Sequence, residues 1–142
     1  WQERGIDIIG MQALLFGTIG LNVFGSESIQ KKLLDHLAAV CRIGAGLGAS
    51  RLVFGSPKNR DCSGLSVSQV QEISRLFFRQ LGDIAADYGV IVCLEPNPSV
   101  YGANFMTTSL ETCNVVNDID HQQSKCSLIP GRLLSIRKIF LL

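Results

Sequence analysis

The chain has 142 residues, of which 46% are hydrophobic and 18% charged, and its formal net charge at pH 7 is +1. This composition is typical of one globular domain and excludes a disordered chain. The near-neutral charge gives no reason to expect binding to nucleic acid or to an anionic membrane. The apolar runs are interrupted well before the roughly 18 residues that a membrane-spanning helix needs.

Three units of strand, loop and helix follow one another along the first 121 residues. Short apolar runs predict strands within residues 6–16, at 51–56 and at 90–94. Each run is followed by a residue that favours the start of a helix: Ser26, Ser66 and Thr108. Because no hairpin signal separates the strands, this order predicts an α/β fold with a parallel sheet.

Capping patterns and glycines predict the helix boundaries. Gln69 and Glu111 each lie three residues after a predicted cap and complete two capping-box patterns. Gly48 and Gly89 suit the ends of the first two helices, and the third helix is expected to end near residue 118.

Two parallel folds fit this order. A doubly wound sheet that binds a dinucleotide carries a glycine-rich turn between a strand and the next helix. The glycine-rich run GAGLG at 44–48 instead ends a helix and precedes a strand, which favours close packing and a helix end. The other fold is part of a (β/α)8 barrel, which takes about 250 residues when complete. Three units in this length match roughly half of such a barrel.

The loops after the three strands share one rim in either fold and carry the candidate site residues. These are Gln12, Ser56, Lys58, Asn59, Arg60, Glu95, Asn97, Tyr101 and Asn104. Such a set suits a polar, polyhydroxylated ligand. Lys58 and Arg60 either neutralise a phosphate or carboxylate or belong to a solvated loop. Glu95 lies between an apolar strand and two prolines, and is either a site residue or a carboxylate paired at the strand end.

The histidines, the cysteines and the N-terminus are less informative. His36 is interpreted as a surface residue of the first helix, and the role of His121 stays open. The five cysteines form no CxxC pair, which favours reduced thiols without a metal and a cytoplasmic protein. Residues 1–4 resemble no targeting signal, and without an initiator Met we expect the chain to begin inside a longer reading frame.

Three segments together resemble the sugar phosphate isomerase/epimerase family, whose fold is the xylose isomerase-like TIM barrel. They are GIDIIGMQALLFG at 5–17, RLVFGSPKNR at 51–60 and VCLEPNPSVYGANFMTT at 92–108. The resemblance extends over about residues 5–121. It implies a partial (β/α)8 barrel of three consecutive parallel βα units at residues 1–121. The tail at 122–142 is expected to be irregular and not native to this fold.

The resemblance also implies a divalent metal held by a Glu, an Asp, a His and a second Glu at successive strand ends. Glu95 matches the first ligand and is also the implied catalytic base. The implied substrate is a small sugar or sugar phosphate, and its predicted binding residues are Gln12, Ser56, Lys58, Arg60, Asn97 and Tyr101. Oxygen-rich ligation favours Mn²⁺ or Mg²⁺, with Zn²⁺ or Co²⁺ as alternatives. A proton would then move through an enediolate-like intermediate.

The tail departs from the resemblance. The family is expected to continue into a strand that carries the metal-binding Asp, whereas residues 122–142 contain four basic residues and no acidic one. Codons for HQQSKCSLIPG, read two nucleotides further on, can encode PAIKVQLDTG. The hypothesis is a frameshift after His121, which sequencing of the coding DNA tests. We therefore expect an inactive fragment that does not hold a metal tightly.

Two alternatives stay open. Related barrels include AP endonuclease-type phosphodiester hydrolases, which share the strand-end Glu, although the near-neutral charge does not favour a DNA-binding surface. The third hypothesis is a non-enzymatic fragment that self-associates through open sheet edges. We expect neither a nucleic acid nor a membrane partner.

Overall fold

A computed structural model of the protein describes residues 2–122 and 124–126. One sheet contains four parallel strands in sequence order: β1 (Gly10–Met11), β2 (Arg51–Phe54), β3 (Ile91–Leu94) and β4 (Ser124–Cys126). The helices between them are α1 (Glu27–Leu47), α2 (Val67–Asp87) and α3 (Ser109–Ile119). Short 3-10 turns lie at Gln2–Arg4, Pro57–Asn59 and Ser99–Tyr101. The predicted α/β fold of consecutive parallel units is confirmed.

The register of the central strands decides where their loops emerge. β2 and β3 pair over their full length, from Arg51 opposite Ile91 to Phe54 opposite Leu94. The residues that follow Phe54 and Leu94 therefore leave the sheet side by side at its carboxyl edge. This edge is the rim on which the predicted site residues lie.

The core lies between the central strands and the helices. Phe54 of β2 packs edge to face against Phe78 of α2, with ring centroids 5.5 Å apart, and Phe78 packs in the same way against Phe77. The apolar residues Leu33 and Leu37 of α1 are fully buried in the same cluster. Their burial fixes both helices against the sheet and so positions the loops at the rim.

The predicted helix boundaries are largely confirmed. Ser66 and Gln69 form a complete capping box, and Gly48 ends α1 with φ +80°. Thr108 accepts a hydrogen bond from the Glu111 amide as predicted, but the Glu111 carboxylate accepts from the amides of residues 106 and 107 instead of the cap residue. The 44–48 run packs closely, because a side chain at Gly44 would meet Leu52 at 2.8 Å.

The first strand, predicted within residues 6–16, is the two-residue β1, which ends before the turn at Ala13 with φ +56°. Two expectations need correction. His36 is half-buried, with Nε2 3.0 Å from the carbonyl oxygen of Leu14, and is not a plain surface residue. The tail at 122–142, predicted to be irregular, contains β4, which pairs in parallel with β3 from Val92 opposite Ser124 to Leu94 opposite Cys126. The rest of the tail, 127–142, lies outside the described residues.

None of the helices in the described part of the chain is long and apolar enough to cross a membrane.

Candidate functional site at the carboxyl edge of the sheet

Glu95 occupies the point where β3 leaves the sheet. Its amide donates to the carbonyl of Phe54 at 3.1 Å, so the parallel ladder continues one residue beyond the strand. Pro96 has no amide hydrogen and ends the ladder there. Asn97 then turns back, with its amide 2.9 Å from the carbonyl oxygen of Met106. The backbone therefore holds Glu95 firmly at the rim.

The Glu95 side chain is half-buried and lies across Gly55, the residue that follows β2. The side-chain amide of Asn97 donates to the Gly55 carbonyl at 2.7 Å, which joins the two strand ends. Burial raises the pKa of the Glu95 carboxyl above its ordinary value of 4.5, against smaller lowering effects of the Arg60 charge and the Asn97 amide. The site thus contains a carboxylate shifted toward the protonated form.

Arg60 contacts the backbone of Glu95 and is 0% exposed. Its Nη1 donates to the backbone carbonyl of Glu95 at 2.8 Å, while Nε and Nη2 have no hydrogen-bond partner among the described residues. Burial lowers its pKa to about 10, although the charges of Glu95 and Glu111 raise it. The interpretation of Arg60 as part of a solvated loop is therefore wrong. Its contact is with the strand end that carries Glu95.

The other predicted binding residues are less enclosed. Gln12 and Lys58 are exposed, and Tyr101 is 57% exposed. Ser56 is half-buried, and its hydroxyl donates to the side-chain oxygen of Asn59. The structure thus brings Glu95, Asn97 and Arg60 into direct contact, whereas the remaining predicted residues share the rim without a recorded contact to Glu95 in the described part of the chain.

Asn59 has a structural role that the sequence does not signal. It is 5% exposed, and its side-chain amide donates to the Leu21 carbonyl at 2.8 Å and to the Thr18 hydroxyl at 3.2 Å. Its own carbonyl accepts from the Val23 amide at 2.8 Å. Asn59 therefore joins the loop after β1 to the loop after β2. An asparagine between two cations resembles an exposed loop residue, so no local pattern marks it for burial.

The remaining acidic and imidazole groups do not assemble around Glu95. Over residues 2–122 and 124–126, no group of three or more His, Cys, Asp or Glu side chains is placed to hold a metal. His121 precedes β4 at the opposite edge of the sheet, with Nε2 3.1 Å from an oxygen of Asp83. The described residues therefore bring no second acidic or imidazole group to Glu95.

Comparison with known proteins identifies the class of fold. No protein-family model matches the chain, and no curated protein matches it. Solved structures do match. A xylose isomerase domain protein from Alicyclobacillus acidocaldarius is 19% identical with a TM-score of 0.62, over 88% of this chain and 43% of its own length. A 3-keto-D-glucoside 4-epimerase from E. coli is 17% identical with a TM-score of 0.71, over 88% of this chain and 49% of its own.

Two further similar structures bear on the alternatives. An AP endonuclease of family 2 from Brucella melitensis is 16% identical with a TM-score of 0.69, over 89% of this chain and 49% of its own. The IolI protein, whose crystal structure contains a zinc atom, is 16% identical with a TM-score of 0.61, over 83% of this chain and 39% of its own. At these identities the likeness concerns the fold.

The chain therefore has the fold of part of a xylose isomerase-like TIM barrel, as the resemblance predicts. It spans less than half the length of the structures that it matches. These neighbours include sugar epimerases and a structure with a bound divalent metal.

Proposed function

We propose that this chain is part of a divalent-metal-dependent isomerase or epimerase of sugars or sugar phosphates, in which Glu95 is a metal ligand and the catalytic base. The observation that carries the proposal is the placement of Glu95. It is a half-buried carboxylate with a raised pKa, held by the backbone at the carboxyl end of a central strand. In barrels of parallel strands, this edge is where catalytic residues lie.

The chemistry follows from the carboxylate. A carboxylate with a raised pKa accepts a proton more effectively than an ordinary glutamate. In the proposed reaction, Glu95 takes a proton from a sugar carbon beside a carbonyl group, which leaves an enediolate-like species. Return of a proton to the opposite face gives an epimer, and return to the neighbouring carbon gives an isomer. A bound divalent metal would supply positive charge that acidifies this C–H bond.

The other rim residues would bind the substrate. Gln12, Asn97 and Tyr101 offer amide and phenol groups for sugar hydroxyls, and exposed Lys58 can pair with a phosphate. Ser56 completes the predicted set from the loop after β2. Arg60 is enclosed and bonded to the Glu95 carbonyl, so we assign it to positioning Glu95 in place of direct substrate contact.

The described residues limit what this chain does alone. A single carboxylate ligand implies weak metal binding, in about the millimolar range. We propose that the other ligands belong to parts of the barrel outside residues 2–122 and 124–126, that Mn²⁺ or Mg²⁺ is the metal, and that the chain alone is inactive. The cytoplasmic location stays a prediction.

Paramagnetic broadening in NMR spectra tests the metal-ligand role, since Mn²⁺ reports even weak binding. We expect Mn²⁺ to broaden the resonances of Glu95 and its neighbours selectively, and Glu95→Gln to abolish this effect. The matched control is Glu72→Gln, which removes an exposed carboxylate on α2 and should leave the broadening intact. Broadening spread over all exposed acidic residues, or unchanged in Glu95→Gln, would contradict the proposal.

Proton exchange tests the reaction separately. Ketoses and aldoses incubated in D₂O with Mn²⁺ should gain no deuterium with this chain beyond the Glu95→Gln background. Exchange above that background would overturn the inactivity that we propose and would support the assignment of Glu95 as the base.

A phosphodiester hydrolase is the second candidate, favoured by the fold match to an AP endonuclease. Binding of a fluorescent duplex with one abasic site separates the two candidates. The sugar-enzyme proposal predicts no preference for the abasic duplex over an intact one, and a clear preference would favour the hydrolase.

Self-association is the non-enzymatic candidate. β1 and β4 are the outer strands of the four-stranded sheet in the described part of the chain, and such edges offer unpaired backbone groups. Size-exclusion chromatography at micromolar concentration tests it, and a clean monomer would count against it.

A further inference from the structure

Gly55 is a glycine whose backbone does not require one. It lies directly after β2, and it is not among the residues with positive φ in the described part of the chain. Glycines with positive φ, such as Gly48 and Gly102, are explained by their conformation. The reason for glycine at position 55 must therefore lie in the space around its Cα.

That space is filled by the Glu95 side chain. A Cβ at position 55 would overlap Oε2 of Glu95, and would lie 3.1 Å from its Cδ and 3.5 Å from its Cβ. One oxygen of the carboxylate, Oε2, therefore occupies the position beside the Gly55 Cα that a side chain would take. The Gly55 carbonyl is held at the same time by the Asn97 side-chain amide at 2.7 Å. The Gly55 backbone next to the carboxylate is thus held in place by Asn97, which belongs to the same loop as Glu95.

We infer that Gly55 is a positioning residue for Glu95: its missing side chain creates the recess in which the carboxylate lies at the rim. The inference rests on the proposed function, since it concerns the carboxylate that we propose binds metal and moves a proton. Any side chain at this position would push the carboxylate out of the recess. The far end of glutamate is flexible, so the expected damage is to its position more than to the fold.

The test compares Gly55→Ala with Gly46→Ala. Gly46 lies near the end of α1 and has nothing within 4 Å of an added Cβ, so its variant controls for the gain of a methyl group. In the wild type, nuclear Overhauser contacts should join the α-protons of Gly55 to the side-chain protons of Glu95. In Gly55→Ala we expect the Glu95 side-chain resonances to shift and these contacts to be replaced, while the contacts of the strand backbone persist.

The second readout is Mn²⁺ affinity from the same broadening titration. Because shifts of groups that orient a ligand typically cost 10- to 100-fold in affinity, we expect Gly55→Ala to weaken Mn²⁺ binding about tenfold. Gly46→Ala should leave both the contacts and the affinity unchanged. An unmoved Glu95 side chain with unchanged Mn²⁺ affinity in Gly55→Ala would overturn the inference.

Two complications are separated by design. If Gly55→Ala does not fold, the double variant Gly55→Ala/Glu95→Ala should fold like Glu95→Ala, because the obstructed side chain is gone. Failure of the double variant to fold would also overturn the inference.

If the wild type shows no Mn²⁺ broadening near Glu95, the proposed metal role fails. The side-chain contacts then still decide whether Gly55 positions the carboxylate.

Discussion

The loops after β2 and β3 leave the same edge of the sheet side by side, but they direct their polar residues differently. The loop after β2 buries two of its polar side chains, with Asn59 5% exposed and Arg60 0% exposed, and leaves Lys58 exposed. The loop after β3 turns toward the rim, with Glu95 and Asn97 half-buried and Tyr101 57% exposed. Both loops combine charged and amide residues after an apolar strand, so their composition does not distinguish them.

The difference shows that buried residues of the loop after β2 stabilise the rim, whereas the loop after β3 exposes side chains that a ligand can reach. Asn59 ties the loop after β2 to the loop after β1, and Arg60 holds the Glu95 carbonyl from beneath. The Asn59 amide and Nη1 of Arg60 both donate to backbone carbonyls of neighbouring loops, whereas Nε and Nη2 of Arg60 have no partner among the described residues. The loop after β2 thereby fixes the position of the Glu95 backbone at the end of β3. This comparison leads to three tests, in order of expected effect.

Replacement of Arg60 should have the largest effect. Arg60→Ala removes a fully buried side chain and its bond to Glu95, and leaves a cavity beneath the strand end. We expect a loss of about 3 kcal/mol in the free energy of unfolding, measured by urea denaturation, because a hydrogen bond from a charged group and the packing of the buried side-chain stem are both removed. Lys58→Ala, two residues earlier and exposed, should change it by about 0.5 kcal/mol or less. Equal effects would show that the burial of Arg60 contributes nothing to the stability of the fold.

Removal of the Asn59 amide should rank second. Asn59→Ala leaves the Leu21 carbonyl and the Ser56 hydroxyl without their partner, and the site is buried. We expect a loss of about 2 kcal/mol in unfolding free energy. Asn97→Ala removes one principal bond, to the Gly55 carbonyl, at a half-buried position and should cost about 1 kcal/mol. A larger loss of unfolding free energy for Asn97→Ala than for Asn59→Ala would show that the loop after β3 also stabilises the fold.

The features predictable from the sequence are local ones. The capping box of Ser66 and Gln69 and the helix end at Gly48 depend on groups a few residues apart, and both are observed. The parallel order follows from the alternation of strands and helices. The placement of Glu95 at a strand end follows from an apolar run stopped by proline, which is again a short-range pattern.

The direction of the loop side chains was not predictable in this way. Arg60 bonds to the Glu95 carbonyl across 35 positions of sequence, and His36 bonds to Leu14 across 22. The recess at Gly55 likewise exists only once β2 and β3 are in register. These features depend on tertiary contacts that no window of sequence contains.

The smallest expected effect concerns the charge of Glu95. Burial raises the pKa of this carboxyl, so the folded state binds its proton more tightly than the unfolded state does. The stability due to Glu95 is therefore fully present below its ordinary pKa of 4.5 and is lost as the pH rises through the folded pKa. Glutamine does not titrate. Glu95→Gln should consequently be more stable than the wild type at pH 7 by about 0.5 kcal/mol, because solvent screens part of the effect at this half-buried position.

Thermal unfolding of both proteins between pH 4 and pH 8 measures this difference, and subtraction of the two curves cancels the other titrating groups. The stability advantage of Glu95→Gln should grow with pH across this range and then level off. Glu72→Gln should show little change, because Glu72 is 60% exposed in its pair with Arg75. A wild type more stable than Glu95→Gln at pH 7 would mean that Arg60 and Asn97 outweigh burial. Arg60 would then keep the Glu95 carboxylate charged. The loop after β2 would stabilise the strand end that carries Glu95 through its charge as well as through its packing.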